Sequence, residues 1–178
     1  MRRTSQHQAG VTLIEVLVAV IVTVIGLLGM VALQMRSYAS EAESYQRAQA
    51  AILLEDMVNR IRANPKNVAN YVAEDIGVAA MVCTPAPAAL AARDLCEWAN
   101  LLKGAAETYE AKTVGAMTAA RGCIRAIDVA TNTYAITVVW QGSVSTAEPG
   151  STCGQAAFAD QTIRRALSTV VRIPKLAV

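Results

Sequence analysis

The chain has 178 residues, of which 54% are hydrophobic and 17% charged, and its mean hydropathy is +0.34. This length is typical of about one domain, and the hydropathy is higher than that of an ordinary soluble protein. The formal net charge of +2 equals the contribution of Arg2 and Arg3. No stretch combines dense Lys and Arg with aromatic residues, so nucleic acid is not a predicted partner. The densest basic groups are interpreted as solvated surface: Arg60, Arg62 and Lys66, and Arg164, Arg165 and Arg172.

The first predicted element is an apolar helix from Val11 to Leu33, in which Glu15 is the single charged residue. At about 1.5 Å per residue, such a helix spans the roughly 30 Å hydrocarbon core of a bilayer. It is also longer than the apolar core of a secretory signal peptide. Because Arg2 and Arg3 precede it, we expect the N-terminus in the cytoplasm and the residues after the helix outside it.

Helical spacing continues without Gly or Pro from Val31 to Asn64, and Pro65 disfavours α geometry in the residue before it. One helix of about fifty residues is therefore predicted. Its soluble half has two apolar faces about half a turn apart. We interpret one face as cover for the chain's own globular domain and the other as a contact with neighbouring subunits, with burial of both within the chain as the alternative. The faces are Tyr38, Ala42, Tyr45 and Ile52, and Leu54, Met57, Val58 and Ile61.

Residues 66–86 are ambiguous, apart from a loop indicated by the prolines of "VCTPAPA". A short amphipathic helix follows and ends at Gly104, with Trp98 predicted in the core. The residues that indicate this amphipathic helix are Leu90, Asp94, Leu95, Trp98, Leu101 and Leu102.

The last third of the chain predicts an antiparallel sheet of three or four strands. "CIRAIDV", the polar "ATNT" and "YAITVVW" are typical of a β-hairpin. A loop follows from Gly142 to Gly154. "ALSTVVRI" then places apolar side chains at every second residue, which suits a third strand.

Four cysteines lie in the distal part of the chain, without a Cys-x-x-Cys pair and without a nearby histidine. An oxidising compartment favours two disulfides over a zinc site, and four buried free thiols are the alternative. Three connectivities are possible. Loop length favours Cys83–Cys96 and Cys123–Cys153, but sequence alone leaves the choice open.

Glu15 is the unusual residue of the apolar segment, since an ionised carboxylate in hydrocarbon costs a few kcal/mol. An acid in the first turn of a helix is favoured by the helix dipole, which explains why it is tolerated. A cut between Gly10 and Val11 would explain its use, because it creates an α-amine at the edge of the segment. The amine of one subunit could then meet the carboxylate of a neighbour and select the axial register of two bundled helices.

A short basic leader followed by "GVTLIEVLVAVIV" resembles the class III leader of type IV prepilins and type II secretion pseudopilins. The usual form there is Gly, Phe, Thr, Leu, Ile, Glu, Leu. The resemblance implies that prepilin peptidase cleaves after Gly10 and N-methylates Val11, and that Glu15 is the assembly glutamate. The chain has Val11 where the family usually has Phe.

Later segments are similar to minor pilins of the PilV kind, namely "RAQAAILLEDMVNRIRANP", "DLCEWANLL" and "YAITVVW". The resemblance implies an α+β, pilin-like fold, in which a long N-terminal hydrophobic helix packs on a small antiparallel sheet. It also implies four regions. These are a cleaved leader (1–10), a transmembrane and filament-core helix (11–33), an amphipathic continuation (34–64) and a periplasmic globular domain (65–178).

The implied function is that of a minor pilin of a type IV pilus, which primes assembly, joins the tip complex, and supports motility and adhesion. The implied partners are prepilin peptidase, other minor pilins, the major pilin and inner-membrane lipid, with the protein moving from the inner membrane to the surface pilus. A minor pseudopilin of type II secretion is the nearer alternative. A single-pass anchored periplasmic enzyme or binding module is the other.

The sequence predicts no catalytic residue, metal site or cofactor. The only histidine, His7, would be removed with the leader. Neither a Gly-x-x-x-x-Gly-Lys phosphate loop nor a Gly-x-Ser-x-Gly motif occurs. Neighbouring carboxylates occur, but neighbours in sequence need not converge in a pocket: Glu55/Asp56, Glu74/Asp75 and Asp94/Glu97.

Overall fold

In the computed structural model, the described residues are 12–78, 82–83, 90–105, 108–110, 112–113 and 117–174. Helix α1 spans Leu13–Ala63, which confirms the predicted single helix, and helix α2 spans Leu90–Leu102. The chain divides into two compact units between Glu41 and Ala42.

The first unit is the apolar part of α1. Its large side chains are exposed, from Leu13 at 84% to Leu33 at 69%. The Thr12 hydroxyl caps the helix start, since its Oγ1 accepts a hydrogen bond from the Glu15 amide at 3.4 Å. In the described part of the chain, α1 is the one helix long and apolar enough to cross a membrane.

The second unit contains a four-stranded antiparallel sheet, whose strands are β1 (Ala73–Ile76), β4 (Arg121–Asp128), β5 (Thr133–Gln141) and β6 (Arg164–Arg172). They neighbour one another in the order β1-β4-β5-β6. The predicted hairpin and third strand are confirmed as β4, β5 and β6. Strand β1 and a preceding 3-10 helix, Pro65–Tyr71, lie in the segment without a clear sequence pattern. Strands β2 (Thr108–Tyr109) and β3 (Lys112–Thr113) form a separate pair.

The main core lies between the end of α1 and the sheet. One predicted face of α1 is buried, and it shares a hydrophobic cluster with Tyr134, Ile136 and Val138 of β5. The opposite face is exposed, with Tyr45 at 48% and Ile52 at 60%. Burial of both faces within the chain is therefore wrong. The buried face consists of Leu54, Met57, Val58 and Ile61.

Trp98 joins α2 to this core, as predicted, and is fully buried. Its indole Nε1 donates a hydrogen bond to the Leu53 carbonyl at 2.8 Å. The ring lies directly against β4, where a Cβ at Gly122 would come within 2.2 Å of it. Gly122 is therefore required by the close approach of α2 to the sheet.

Substitution of Gly122 by Ala should lower the free energy of unfolding by about 1–3 kcal/mol, because the buried indole must move to admit the methyl group. Gly150→Ala is the matched control, since a Cβ at Gly150 would meet nothing within 4 Å. Thermal unfolding of the full chain in detergent, followed by tryptophan fluorescence, measures the difference. Equal stability of the two variants would contradict the packing of Trp98 on Gly122.

A second, smaller cluster contains Cys123, Val139, Cys153 and Phe158, and brings the segment after β5 against the sheet. The four cysteines form the disulfides Cys83–Cys96 and Cys123–Cys153, with Cα atoms 5.6 and 5.8 Å apart. These are the pairs that close the shorter loops. The second disulfide fixes the loop Gly142–Gly154 to β4.

Arg164 is 1% exposed, so its interpretation as solvated surface is wrong. Its Nη1 donates to the carbonyls of Ser151, at 2.6 Å, and Cys153, at 3.1 Å, and its Nε donates to Gln161 Oε1 at 2.7 Å. Buried carbonyls of an irregular segment need donors. The guanidinium supplies them, because five N–H groups in a fixed plane can serve several acceptors at once.

Candidate assembly site

The described part of the predicted assembly site begins with Glu15. Glu15, Ala19 and Thr23 follow one another at intervals of four residues and lie on one face of α1, where they line a shallow concave surface with Val16, Val20 and Val24. Small side chains allow another helix to approach closely in a membrane. The Thr23 hydroxyl donates to the Ala19 carbonyl at 2.8 Å, so this polar group is satisfied within the helix.

The Glu15 carboxylate has no ion-pair partner in the part of the chain that the structure describes. It lies in the first turn of α1, where the helix dipole favours an acidic side chain. Gly10 and Val11, the predicted cleavage and methylation positions, lie outside the described residues. The pairing of Glu15 with an α-amine thus stays a prediction.

A polar cluster lies where α1 ends, and we call it the Arg60 cluster: Asp56, Arg60, Asn64, Tyr71, Asp94 and Glu97. Its centre is the Arg60 guanidinium, which donates to Asp56 at 2.8 Å, to Asp94 at 3.2 Å and to Glu97 at 2.6 Å. The side chain of Arg60 is 23% exposed. Its interpretation as solvated surface is therefore wrong, whereas Arg62 and Lys66 are exposed as predicted.

The buried end of the Arg60 cluster is a chain of hydrogen bonds. The Tyr71 hydroxyl donates to Asp94 Oδ2 at 2.5 Å and accepts from Asn64 Nδ2 at 3.2 Å. Asn64 Oδ1 in turn accepts from Asn67 at 2.9 Å. Tyr71 is fully buried and Asp94 is 5% exposed. These hydrogen bonds thus connect the end of α1, the 3-10 helix after it and α2, and the Tyr71 hydroxyl has both a donor and an acceptor as partners.

The charges of the Arg60 cluster shift one another's protonation. Burial and the hydrogen bond to Asp94 raise the pKa of Tyr71 to about 12. Burial lowers the pKa of Arg60, but hydrogen bonds to Glu97 and Asp56 outweigh it and the net pKa is raised. The hydrogen bond from Arg60 lowers the pKa of Glu97. Arg60 therefore stays charged and Tyr71 neutral near neutral pH.

The Arg60 cluster connects Asn64 of "RANP" through Tyr71 to Asp94 of "DLCEW", which sequence reasoning did not foresee. Asp94 and Glu97 do converge with Asp56, but on the Arg60 guanidinium, which forms an ion pair with each of them. Glu74 likewise forms a two-point ion pair with Arg125. Across the described ranges, no group of three or more His, Cys, Asp or Glu side chains could hold a metal ion.

Comparison with protein families divides the first half of the chain in two. Residues 5–31 match the prokaryotic N-terminal methylation motif, and residues 32–97 match the type IV pilin Tt1218 family. The chain carries a type IV pilin domain behind a prepilin-type methylation motif. No curated protein and no solved structure matches the chain significantly.

The pilin domain match, residues 32–97, contains every member of the Arg60 cluster as well as Trp98's acceptor, Leu53. These contacts join the end of α1, the 3-10 helix after it and α2. Type IV pilins are structural proteins, and the fold agrees with a pilin or pseudopilin role. The methylation motif implies processing by prepilin peptidase and assembly with other pilins.

Proposed function

We propose that the protein is a minor pilin of a type IV pilus, which prepilin peptidase cleaves after Gly10 and N-methylates at Val11. The observation that carries the proposal is the match of residues 5–31 to the methylation motif at the start of an exposed apolar helix. A secretory signal peptidase would remove such a helix, whereas cleavage after Gly10 keeps it on the mature chain. The helix then serves first as a membrane anchor and later in the filament.

The proposed chemistry of assembly is an intersubunit ion pair between the Val11 α-amine and Glu15. Both charges lie at one end of an apolar helix, and exchange of lipid for neighbouring helices would remove water and headgroups from them. A mismatched register would leave two charges unpaired in a medium of low dielectric, so the pair selects one register. The small residues Ala19 and Thr23 on the same face as Glu15 permit a close helix–helix contact.

The outer face of the soluble half of α1 is a second proposed contact with neighbouring subunits. Tyr45 and Ile52 lie on it and are 48% and 60% exposed, although both are large and apolar. The opposite face of the helix already covers the sheet. Incorporation with other minor pilins and the major pilin would bury these side chains, and we place the protein in the complex that primes assembly and forms the tip.

The proposed location is the inner membrane, with residues 65–178 in the periplasm, followed by the surface pilus. Two disulfides in the globular part support an oxidising compartment for it. The similarity of "RAQAAILLEDMVNRIRANP" and "DLCEWANLL" to minor pilins of the PilV kind supports this subfamily. Support of motility and adhesion follows from the same proposal.

Intact-mass spectrometry of the protein from native cells tests the proposal directly. We expect a chain that begins at Val11 and carries one additional methyl group. Gly10→Leu should retain the whole leader, because the peptidase requires a small residue before the cut, and Ala9→Ser is the control that should be processed. A native chain that begins at Met1, or at a residue after Leu33, would contradict the assignment.

The location of the processed protein separates the pilus from the alternatives. Recovery in sheared surface fibres supports a pilin, whereas recovery only with the type II secretion machinery would indicate a pseudopilin with the same leader. An anchored periplasmic enzyme or binding module would retain its leader and function when expressed alone.

A further inference from the structure

Arg165, at the start of β6, contacts two separate parts of the second unit. Its Nε forms an ion pair with Glu43 of α1. Its Nη2 donates to the Val144 carbonyl at 2.7 Å, and its Nη1 donates to Thr146 Oγ1 at 2.8 Å. The side chain is only 13% exposed, so it too is wrongly interpreted as solvated surface from sequence. One guanidinium thus joins α1 to the loop Gly142–Gly154.

The segment of α1 around Glu43 precedes the buried part of the helix. Ala50 is the first fully buried residue of α1, and the helical residues 42–49 are exposed or half-buried. Glu43 itself is 29% exposed. Its charge lies opposite a cation that is largely shielded from water, which strengthens the attraction relative to a surface pair. The ion pair therefore attaches helical residues 42–49 to the start of β6.

The loop Gly142–Gly154 contacts the same Arg165 side chain. The guanidinium lies so close to Gly142 that a Cβ at this position would be 2.7 Å from Arg165 Cζ. Beyond Gly142, residues 143–148 are exposed. The Thr146 amide also donates to the Thr162 carbonyl at 2.9 Å, and Thr162 in turn accepts from Arg165 Nη1 at 3.2 Å. Residues 142–146 are therefore held by the guanidinium together with backbone hydrogen bonds, which include one from the Gly142 amide to the Ile163 carbonyl at 2.7 Å.

We propose that Arg165 couples the helical segment 42–49 to the loop 142–146, so that a change at one changes the stability of the other. The planar fork binds Glu43 through Nε and the loop through both Nη atoms, and displacement of the fork from one side moves it away from the other. Coupling of this kind is reciprocal between the two sites. It concerns the single subunit and does not rest on the proposed pilus function.

Hydrogen–deuterium exchange of the full chain in detergent micelles tests the coupling from both sides. Glu43→Gln should speed exchange in residues 143–147, although Glu43 is not part of the loop. Gly142→Ala should displace the guanidinium and speed exchange in residues 42–49, although Gly142 is not part of α1. We expect changes of about three- to tenfold, the size that the net loss of one ordinary hydrogen bond produces.

Two further variants complete the experiment. Glu55→Gln removes an exposed carboxylate of the same helix that has no ion pair among the described residues, and it should alter neither segment. Arg165→Lys retains the charge for Glu43 but loses the planar fork. Relative to the unmodified protein, exchange should therefore increase more in residues 143–147 than in residues 42–49. The proposal is overturned if Glu43→Gln affects only the helix and Gly142→Ala affects only the loop, because each segment is then held independently.

Discussion

Replacement of Glu15 by Val should leave leader cleavage intact and abolish incorporation of the protein into pili. The proposed cleavage site, between Gly10 and Val11, precedes the first residue of α1 in sequence, and the substitution keeps an apolar helix that can still enter the membrane. Incorporation of the variant, in contrast, would leave the Val11 α-amine without Glu15, the only partner proposed for it. A lone ammonium group in an apolar helix bundle costs several kcal/mol, so we expect loss of the protein from sheared fibres rather than a modest decrease.

The measurement compares the amount of mature protein in the membrane with its amount in sheared fibres. Thr23→Val is the matched control, because it changes a polar residue on the same face whose hydroxyl is satisfied by Ala19. This control should assemble normally. If Glu15→Val enters fibres as efficiently as Thr23→Val, the charge is not needed for incorporation and the proposed ion pair is wrong.

Replacement of Asp94 by Ala should destabilise the globular part by about 3 kcal/mol. Asp94 accepts hydrogen bonds from both Tyr71 and Arg60, and it is 5% exposed. Its removal leaves the fully buried Tyr71 hydroxyl without an acceptor and takes one carboxylate from a half-buried guanidinium. Near-ultraviolet circular dichroism during chemical unfolding of the full chain in detergent measures the change.

Glu97→Gln distinguishes burial from proximity as the cause. Glu97 lies closer to Arg60 than Asp94 does, at 2.6 Å against 3.2 Å, but its side chain is 41% exposed. Because water replaces a lost partner at an exposed site, we expect a cost below about 1 kcal/mol. If Glu97→Gln is as destabilising as Asp94→Ala, the stability of the Arg60 cluster comes from the number of its charges and not from the buried hydrogen bonds.

Local periodicity predicted the parts of this fold whose pattern is local. The α1 helix, α2 and the β4–β5 hairpin each show their period over eight residues or more, and the structure contains all of them. Strand β1 has only four residues, and its register with β4 is irregular. Its formation depends on pairing with a strand almost fifty residues later, which no local period can indicate.

The arginines show why side-chain roles are harder to predict than elements. Arg60, Arg164 and Arg165 resemble ordinary surface residues in sequence, and each is largely withdrawn from water in the structure. Arg60 and Arg165 donate to distant carboxylates, and Arg164 and Arg165 donate to loop carbonyls. The position of a carbonyl depends on backbone conformation, so composition and spacing carry no signal for it. The family resemblance, in contrast, depended on a contiguous motif and was found in sequence.

Within Leu13–Ala63, no residue before Ala50 is fully buried, so more than half of the longest element in the protein contributes no side chain to the hydrophobic core. Sequence change in that portion is therefore free of the constraint that folding imposes on Met57 or Ile61. Apart from the ion pair of Glu43 with Arg165, selection can act on it through lipid and through whatever it meets in an assembly. Such a helix can diverge to fit a new set of neighbours while the domain attached to its end keeps the same interior.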